Sequence, residues 1–194
     1  MKIVIIDYGA GNVKSVQFAL ERLGYQALCS NDPKEIEDAD KVIFPGVGEA
    51  QSAMKELKRF GLDAVIPELK QPVLGICLGM QLMCGHSEEN DTECLGIFPL
   101  TVKLFQSDLK VPHIGWNQIA QLQGPLFSGV PEDSYVYYVH SYYVPLGKDT
   151  IATTQYDLDY AGAIHKDNFY ACQFHPEKSG DTGALILKNF IKTV

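Results

Sequence analysis

The chain has 194 residues, of which 46% are hydrophobic, and this length and composition suit a single domain over residues 1–194 with a sizeable core. It carries 16 Lys and Arg against 24 Asp and Glu, a formal net charge of -8. This charge disfavours nucleic-acid binding, because contacts to phosphates need clustered cationic side chains. We expect a protein that acts on small molecules.

The cysteine content and the apolar runs indicate the cellular compartment. The chain has five cysteines, Cys29, Cys77, Cys84, Cys94 and Cys172. Their odd number and the absence of C-x-x-C spacing favour reduced thiols over a disulfide framework. The first apolar run is broken at Asp7, too early for a signal peptide, and no stretch reaches the roughly 20 apolar residues of a membrane span. A cytoplasmic location without a membrane segment is therefore predicted.

The first 85 residues alternate between strand-like and helix-like patterns. Short apolar runs predict strands at residues 2–7, 25–30, 41–48 and 72–77. Apolar residues at helical spacing predict helices at residues 15–23, 49–60 and 78–84. This order implies an α/β fold with a mostly parallel central sheet and helices on both faces.

The second half has a different pattern. Strand-like segments follow one another at residues 113–122, 134–144, 150–157, 160–166 and 168–175. Their close spacing predicts an additional, partly antiparallel β region, which a helix over residues 182–192 follows. The polar residues 86–94 are predicted to form a surface loop.

Ligands in open parallel sheets bind beyond the carboxyl ends of the strands. Cys77, the turn Gly46-Val47-Gly48 and the turn Gly9-Ala10-Gly11 all follow predicted strands. We therefore expect these three segments to meet at one edge of the sheet.

The segment Gly75-Ile76-Cys77-Leu78-Gly79 has the spacing of a nucleophile elbow, with Cys in the place of Ser. The glycines remove Cβ atoms where a strand turns directly into a helix. A helix N-terminus favours a thiolate, and the N–H of Leu78 is a candidate donor to an oxyanion. The alternative is a buried strand cysteine that happens to lie between glycines.

A thiol nucleophile needs a base, and the base needs an orienting group. His175 follows an apolar strand, Pro176 fixes the turn, and Glu177 is placed to hold one imidazole nitrogen. The alternative for these residues is a surface His-Pro-Glu turn.

The turn Pro45-Gly46-Val47-Gly48 is a candidate source of further N–H donors to an anion. A phosphate cradle is the competing interpretation, but neither a P-loop nor a G-x-G-x-x-G motif is present. A zinc site made of Cys77, His140, His175 and Glu177 is a further alternative, but no pair of these residues has ligand spacing on one element. No metal or cofactor is expected.

Taken together, the segments resemble the class I, triad-type glutamine amidotransferases over the whole chain. The elbow and the distant "HPE" carry the resemblance. "IDYGAGN" at 6–12, "PGVG" at 45–48, "PHIGWN" at 112–117, "YVHSYY" at 138–143 and "QFHPEKSG" at 173–180 are similar to glutaminase subunits of imidazole glycerol phosphate synthases. The resemblance implies a three-layer, flavodoxin-like fold and no cofactor.

The resemblance also implies roles for individual residues. Cys77 would attack the side-chain amide of L-glutamine, His175 would transfer the proton, and Glu177 would orient His175. The oxyanion hole would use N–H groups of Leu78 and of Val47 or Gly48, in a turn that flips before the hole is complete. Residues implied in glutamine binding are Gln81, Glu89, Ser141, Tyr142 and Gly46. Glu89 is chosen over Glu88 because it lies twelve residues after Cys77 in the sequence. The alternative for both Glu89 and Gln81 is an ordinary residue with no role in the site.

The implied partner is the cyclase subunit of the synthase, which is a (β/α)8 barrel. The two subunits would form a heterodimer that acts in histidine biosynthesis. The positions that match the family's partner interface are Asn12, Trp116 and Lys178. Trp116 as a core or surface aromatic and Lys178 as a solvated charge remain alternatives. Because the chain ends after a helix, the partner is expected to be a separate chain.

Three other functions fit the sequence less well. A glutaminase of another amidotransferase, such as the vitamin B6 synthase subunit, usually has "PGG-E-S" where this chain has "PGVGEA". A non-catalytic binding subunit has no need of all three triad residues. A chaperone or peptidase of the same superfamily lacks the downstream His-Pro-Glu. The sequence departs from the family pattern at residues 93–105 and at Ala171.

Overall fold

The computed structural model describes residues 1–9, 11–106 and 108–194. The strands are β1 (Ile3–Ile6), β2 (Ala27–Ser30), β3 (Lys41–Gly46), β4 (Val73–Cys77), β5 (Cys84–Ser87), β6 (Thr92–Glu93), β7 (Phe98–Leu104), β8 (His113–Ile119), β9 (Ser134–His140), β10 (Tyr142–Tyr143), β11 (Thr150–Tyr156), β12 (Leu158–Lys166) and β13 (Phe169–Cys172). The helices are α1 (Val13–Arg22), α2 (Pro33–Glu37), α3 (Ala50–Arg59), α4 (Leu62–Val65), α5 (Leu78–Met83) and α6 (Gly180–Lys192). Within the described ranges, no helix is both long enough and apolar enough to cross a membrane.

The central sheet has the strand order β11-β12-β13-β4-β3-β1-β2. Strands β13, β4, β3, β1 and β2 run parallel, whereas β11 and β12 are antiparallel additions at one edge. A smaller sheet has the order β10-β7-β5-β6, and β8 pairs with β9 as an antiparallel ribbon. This confirms the predicted α/β class and the partly antiparallel second half. It also places the carboxyl end of β4 between those of β3 and β13.

The core lies on both faces of the central sheet, because alternate residues of each parallel strand enter opposite layers. Val4 and Ile6 of β1 pack with apolar residues of α3 and α5, and Ile3 and Ile5 pack with residues of α1 and α6. All four β1 side chains are buried, and each such burial stabilises the fold by about 1.5–3 kcal/mol. This confirms the helices on both faces that the order of strands and helices predicts, and with them the three-layer fold that the resemblance implies.

The structure corrects the prediction for residues 86–94. Their two ends are strands, since His86 pairs with Glu93 and Ser87 with Thr92 on either side of a turn at 88–91. Polar residues suit these strands because they belong to the small sheet, with β6 at its edge. The predicted strand over 134–144 is also interrupted, because residue 141 separates β9 from β10.

Helix α5 lies unusually close to strand β3. A Cβ atom on Gly79 would come within 1.9 Å of the carbonyl oxygen of Phe44. A Cβ on Gly75 would meet the Met83 sulfur at 2.9 Å, a contact that the end of a flexible side chain can relieve. Gly79 therefore allows a backbone-to-backbone approach that no other residue permits.

We expect Gly79→Ala to lower the free energy of unfolding by about 2 kcal/mol or more, because the helix must move away from β3. The matched control is Gly85→Ala in β5, where a Cβ would meet its nearest atoms at ordinary distances of 3.6 and 3.7 Å. That substitution should change the free energy of unfolding by less than about 1 kcal/mol. Chemical denaturation followed by circular dichroism measures both values, and equal effects of the two substitutions would contradict the close-approach argument.

Candidate active site

Cys77 occupies a sharp turn between strand and helix. It is the last residue of β4, and α5 begins at the next residue, Leu78. Its backbone has φ 54° and ψ -109°, a conformation that residues other than glycine rarely adopt. Strain of this kind concentrates at functional sites, and the geometry is that of the elbow predicted from the glycine spacing.

His175 and Glu177 form a buried pair behind this turn. The His175 Nδ1 donates to Glu177 Oε1 at 2.8 Å, and both side chains are only 1% exposed. A short 3₁₀ turn over Pro176–Lys178 holds the carboxylate under the ring. The second ring nitrogen, Nε2, is buried and makes no close hydrogen bond to any residue that the structure describes. The carboxylate thus fixes the ring and leaves Nε2 available to the sulfur.

The charges around His175 favour its protonated form. Burial alone would lower the pKa of His175, but the negative charge of a neighbouring Cys77 thiolate, and then Glu177, raise this pKa to about 10. The imidazole is therefore close enough to the sulfur for its protonation to respond to the charge on Cys77. A nucleophile paired with this base is what the sequence pattern predicts for Cys77 and His175.

A cleft of about 290 Å³ lies in front of the sulfur. Its lining contains eight of the residues predicted to act in the site, Val47, Gly48, Cys77, Leu78, Gln81, Glu89, Ser141 and Tyr142. Pro112, Val139 and His140 complete the lining. The cleft therefore brings together the turn after β3, the elbow after β4 and the segment after β9.

Gly46 is the predicted glutamine-binding residue that the structure places outside this lining. It is buried, and a Cβ on it would come within 2.7 Å of Tyr8 Oη and 2.8 Å of Leu78 Cβ. Its position indicates a packing role in which the turn after β3 can lie directly against the elbow.

The two adjacent carboxylates, Glu88 and Glu89, have different surroundings. Glu89 lines the cleft, and its Oε2 accepts from the N–H of Ala50 at 2.7 Å. Partial burial raises the pKa of Glu89, and the negative charge of Glu49 raises it further. The hydrogen bond from the Ala50 N–H lowers this pKa but does not cancel the increase. Glu88 instead accepts from the N–H of Leu104 at 2.8 Å. The geometry thus favours Glu89 over Glu88 as the carboxylate that a ligand would meet.

Gln81 is held by bonds on its nitrogen. Its Nε2 donates to the Tyr142 carbonyl oxygen at 3.0 Å and to Gln173 Oε1 at 3.0 Å. The Tyr142 carbonyl oxygen also accepts a hydrogen bond from His140 Nδ1 at 2.7 Å, so Nδ1 is the ring nitrogen of His140 that carries the proton. Burial lowers the pKa of His140 to about 3, which keeps the ring neutral in the cleft wall. Because both Nε2 protons of Gln81 are used, its Oε1 is the atom that it can offer to a ligand.

Two of the three predicted interface residues lie together on the outer face. The indole of Trp116 is 54% exposed and meets the Tyr137 ring edge-on at 6.0 Å between centroids. Lys178 Nζ lies 6.0 Å from the centre of the same Tyr137 ring. Asn12 caps the start of α1, where its Oδ1 accepts from Ser15 Oγ at 2.8 Å. Tyr137 is therefore an unpredicted centre of this face.

The turn Gly9-Ala10-Gly11 is only partly described, since Ala10 lies outside the described residues. A Cβ on Gly11 would lie 3.4 Å from Pro45 Cγ, so the turn borders the end of β3 as expected. Within residues 1–9, 11–106 and 108–194, no group of three or more His, Cys, Asp and Glu side chains is arranged to hold a metal ion.

Comparison with known proteins gives the family. The family model for class-I glutamine amidotransferases matches residues 4–194. The imidazole glycerol phosphate synthase subunit HisH of Bacteroides fragilis is 55% identical over 99% of this chain and 100% of its own length. The HisH subunit of Bacteroides thetaiotaomicron is 54% identical over 98% of this chain and 99% of its own.

The chain belongs to the class-I glutamine amidotransferases, in the HisH branch. The family predicted from the sequence is thereby confirmed. A crystal structure of a glutamine amidotransferase has the same fold, with a TM-score of 0.77 at 18% identity over 97% of each chain. The fold is therefore shared well beyond the range of recognisable sequence similarity.

Sequence reasoning missed several residues of this amidotransferase site. Val139 lies in the cleft wall together with His140, which the sequence suggested only as a zinc ligand, and Gln173 lies fully buried beside the sulfur. One signal for Gln173 was available, because a polar residue two positions before His175 in an otherwise apolar segment needs a buried partner. No such signal marks Val139, whose contribution is a backbone carbonyl.

The charge balance at His175 gives a test by NMR. Because Cys77 and Glu177 both raise the pKa of His175, Cys77→Ala and Glu177→Gln should each lower the midpoint of the His175 titration below about 10. Titration of labelled imidazole carbons measures both. His140, whose pKa is about 3, serves as the internal reference that stays neutral in every variant. An unchanged His175 midpoint in Cys77→Ala would contradict direct interaction of the ring with the sulfur.

Proposed function

We propose that the chain is the glutaminase subunit of an imidazole glycerol phosphate synthase and hydrolyses L-glutamine to glutamate and ammonia. The observation that carries the proposal is the Cys77 sulfur at the wall of a cleft, backed by the buried His175–Glu177 pair. The relatives that are 54–55% identical bear the name of this synthase subunit. Ammonia would serve the partner reaction that makes imidazole glycerol phosphate and aminoimidazole carboxamide ribonucleotide in histidine biosynthesis.

The first half-reaction forms a glutamyl thioester. The Cys77 thiolate attacks the side-chain amide carbon of glutamine, and N–H groups of Leu78 and of Val47 or Gly48 stabilise the oxyanion. The His175 imidazolium donates its proton to the amide nitrogen as the C–N bond breaks. Ammonia leaves, and the ring becomes neutral.

The second half-reaction regenerates the thiol. Neutral His175 takes a proton from water, and the resulting hydroxide attacks the thioester carbon. The C–S bond breaks, glutamate leaves, and the thiolate again faces a protonated His175. Throughout the cycle Glu177 accepts from Nδ1 at 2.8 Å, which keeps Nε2 directed at the reacting atoms.

Glutamine is recognised at the other end of the cleft. The carboxylate of Glu89 suits the α-ammonium group, and the free Oε1 of Gln81 is a second acceptor on the same wall. Ser141 and Tyr142 offer backbone atoms beside them. This distribution of acceptors distinguishes an amino acid from a simple amide.

The proposed partner is a cyclase subunit with a (β/α)8 barrel in a heterodimer. The face made of Trp116, Tyr137 and Lys178 is its proposed docking site, because it combines an exposed indole, a half-buried tyrosine and a cation. Asn12 is proposed to extend this contact. A cytoplasmic location is also proposed, on the support of five free cysteines.

Substitution of the nucleophile should separate the two nitrogen sources. With the cyclase partner and its nucleotide substrate present, Cys77→Ala should abolish glutamine-dependent turnover and leave ammonia-dependent turnover near the wild-type rate. Product formation measured with each nitrogen source tests this. Glutamine-dependent turnover that survives in Cys77→Ala would overturn the assignment.

The adjacent carboxylates provide a matched pair for substrate binding. Glu89→Gln keeps an acceptor for the Ala50 N–H but removes the charge, so the KM for glutamine should rise about tenfold or more with little change in kcat. Glu88→Gln, one residue away and bonded to Leu104, should leave KM within about twofold, because its carboxylate lies outside the cleft lining. Steady-state kinetics of both variants decide between them, and a larger effect of Glu88→Gln would refute the choice of Glu89.

A further inference from the structure

Gln173 is a buried polar residue that the proposed mechanism does not use. Its side chain is 0% exposed, and its Nε2 donates to the Cys77 sulfur at 3.7 Å. It lies two residues before His175, and Phe174 between them packs into the apolar core. Gln173 and His175 therefore reach the sulfur from the same segment that follows β13.

The orientation of the Gln173 amide is fixed by a chain of hydrogen bonds. The chain begins at the Tyr142 carbonyl oxygen, which can only accept, so the group of Gln81 that meets it must be the NH₂. The second proton of that NH₂ must then meet the oxygen of Gln173, at 3.0 Å. This leaves the nitrogen of Gln173 facing the sulfur. The polarity of both amides thus follows from a backbone carbonyl that cannot be reversed.

Besides His175, two polar groups near the sulfur favour opposite protonation states. The Val139 carbonyl oxygen, at 3.8 Å, can accept from the thiol but repels a thiolate. The Gln173 N–H, at 3.7 Å, remains a donor when the sulfur is negatively charged. A thioester sulfur accepts hydrogen bonds weakly, so the Gln173 interaction is strongest before attack and when the thiolate leaves.

We propose that Gln173 is a positioning residue that holds the Cys77 sulfur and stabilises it as the thiolate through its side-chain N–H. Its link to Gln81 connects the nucleophile with the wall of the cleft in which substrate is recognised. The benefit to glutamine hydrolysis rests on the proposed function, whereas the effect on the sulfur does not.

Two variants separate the effect of the Gln173 N–H donor on the sulfur from the effect of the packing of the Gln173 side chain. Gln173→Glu retains an acceptor for Gln81 but presents a negative oxygen to the sulfur, and Gln173→Leu removes both polar contacts. Alkylation of Cys77 by iodoacetamide, followed by mass spectrometry over a pH series, measures thiolate formation without glutamine. At pH 7 the rate should fall about tenfold in Gln173→Glu and about threefold or more in Gln173→Leu, with the midpoint of the pH profile moved upward.

The control is Gln51→Leu, an exposed glutamine on α3, which should leave the alkylation profile unchanged. Rates and midpoints of both Gln173 variants within about twofold of wild type would overturn the proposal, since a purely structural role does not move a thiolate midpoint. If Cys77→Ala retains glutamine turnover, the proposed function fails, but the alkylation result still decides the role of Gln173.

A measurement on the unsubstituted residue keeps the proposal testable if a Gln173 variant does not fold. The side-chain NH₂ signals of Gln173 in ¹⁵N-labelled wild type should move in Cys77→Ala, because their acceptor is gone. The NH₂ signals of Gln51 should stay in place. Gln173 signals that coincide in the two proteins would overturn the bond to the sulfur.

Discussion

The approach of α5 to β3, in which Gly79 lies against the Phe44 carbonyl, is the constraint on which the site depends. A Cβ on Gly79 would lie 1.9 Å from that oxygen, which is too close for any side chain. The position of the helix is therefore set by contact between the backbones of α5 and β3. The turn after β3 and the elbow after β4 are thereby held side by side. This close approach places the N–H of Leu78 and the sulfur of Cys77 beside the turn at Val47, at the edge where the carboxyl ends of β3 and β4 meet.

The residues that could be predicted from sequence are those with a local signature. Cys77 lies between glycines, and His175 precedes a proline and a carboxylate, so each pattern could be read without knowing the fold. Gln173, Val139 and His140 belong to the site only because distant strands meet there. The Val139 carbonyl leaves no pattern in the sequence, and the local signal for Gln173 is only that it is a polar residue in an apolar segment.

The same distinction explains which strands and helices could be predicted from the sequence. Central parallel strands are buried on both faces and therefore give continuous apolar runs that predict them well. The small sheet contains strands such as β5 and β6, whose polar residues resemble a loop. Helix α2, at Pro33–Glu37, is too short to show an apolar period. The elements that sequence reasoning missed thus include β5, β6 and the seven-residue β7 of the small sheet, and the short helix α2.

The face around Trp116 is joined to the base by backbone bonds. The N–H of His175 donates to the Tyr137 carbonyl at 2.9 Å, and the N–H of Tyr137 donates to Ser179 Oγ at 2.9 Å. Ser179 Oγ in turn donates to the His175 carbonyl at 2.6 Å. The ring of Tyr137 contacts Trp116 and Lys178, while its backbone is hydrogen-bonded to His175 and Ser179, so one residue contacts both the outer face and the segment that carries the base.

The order of assembly is constrained as well: Gln173 meets Cys77 across 96 residues, and β13 joins β4 only after the whole second half has been made. Closing so long a loop is slow, and a chain that has formed only its first β/α units has a nucleophile without its base. Recovery of activity during refolding would therefore report the last long-range strand pairing, not the earlier collapse of the N-terminal half.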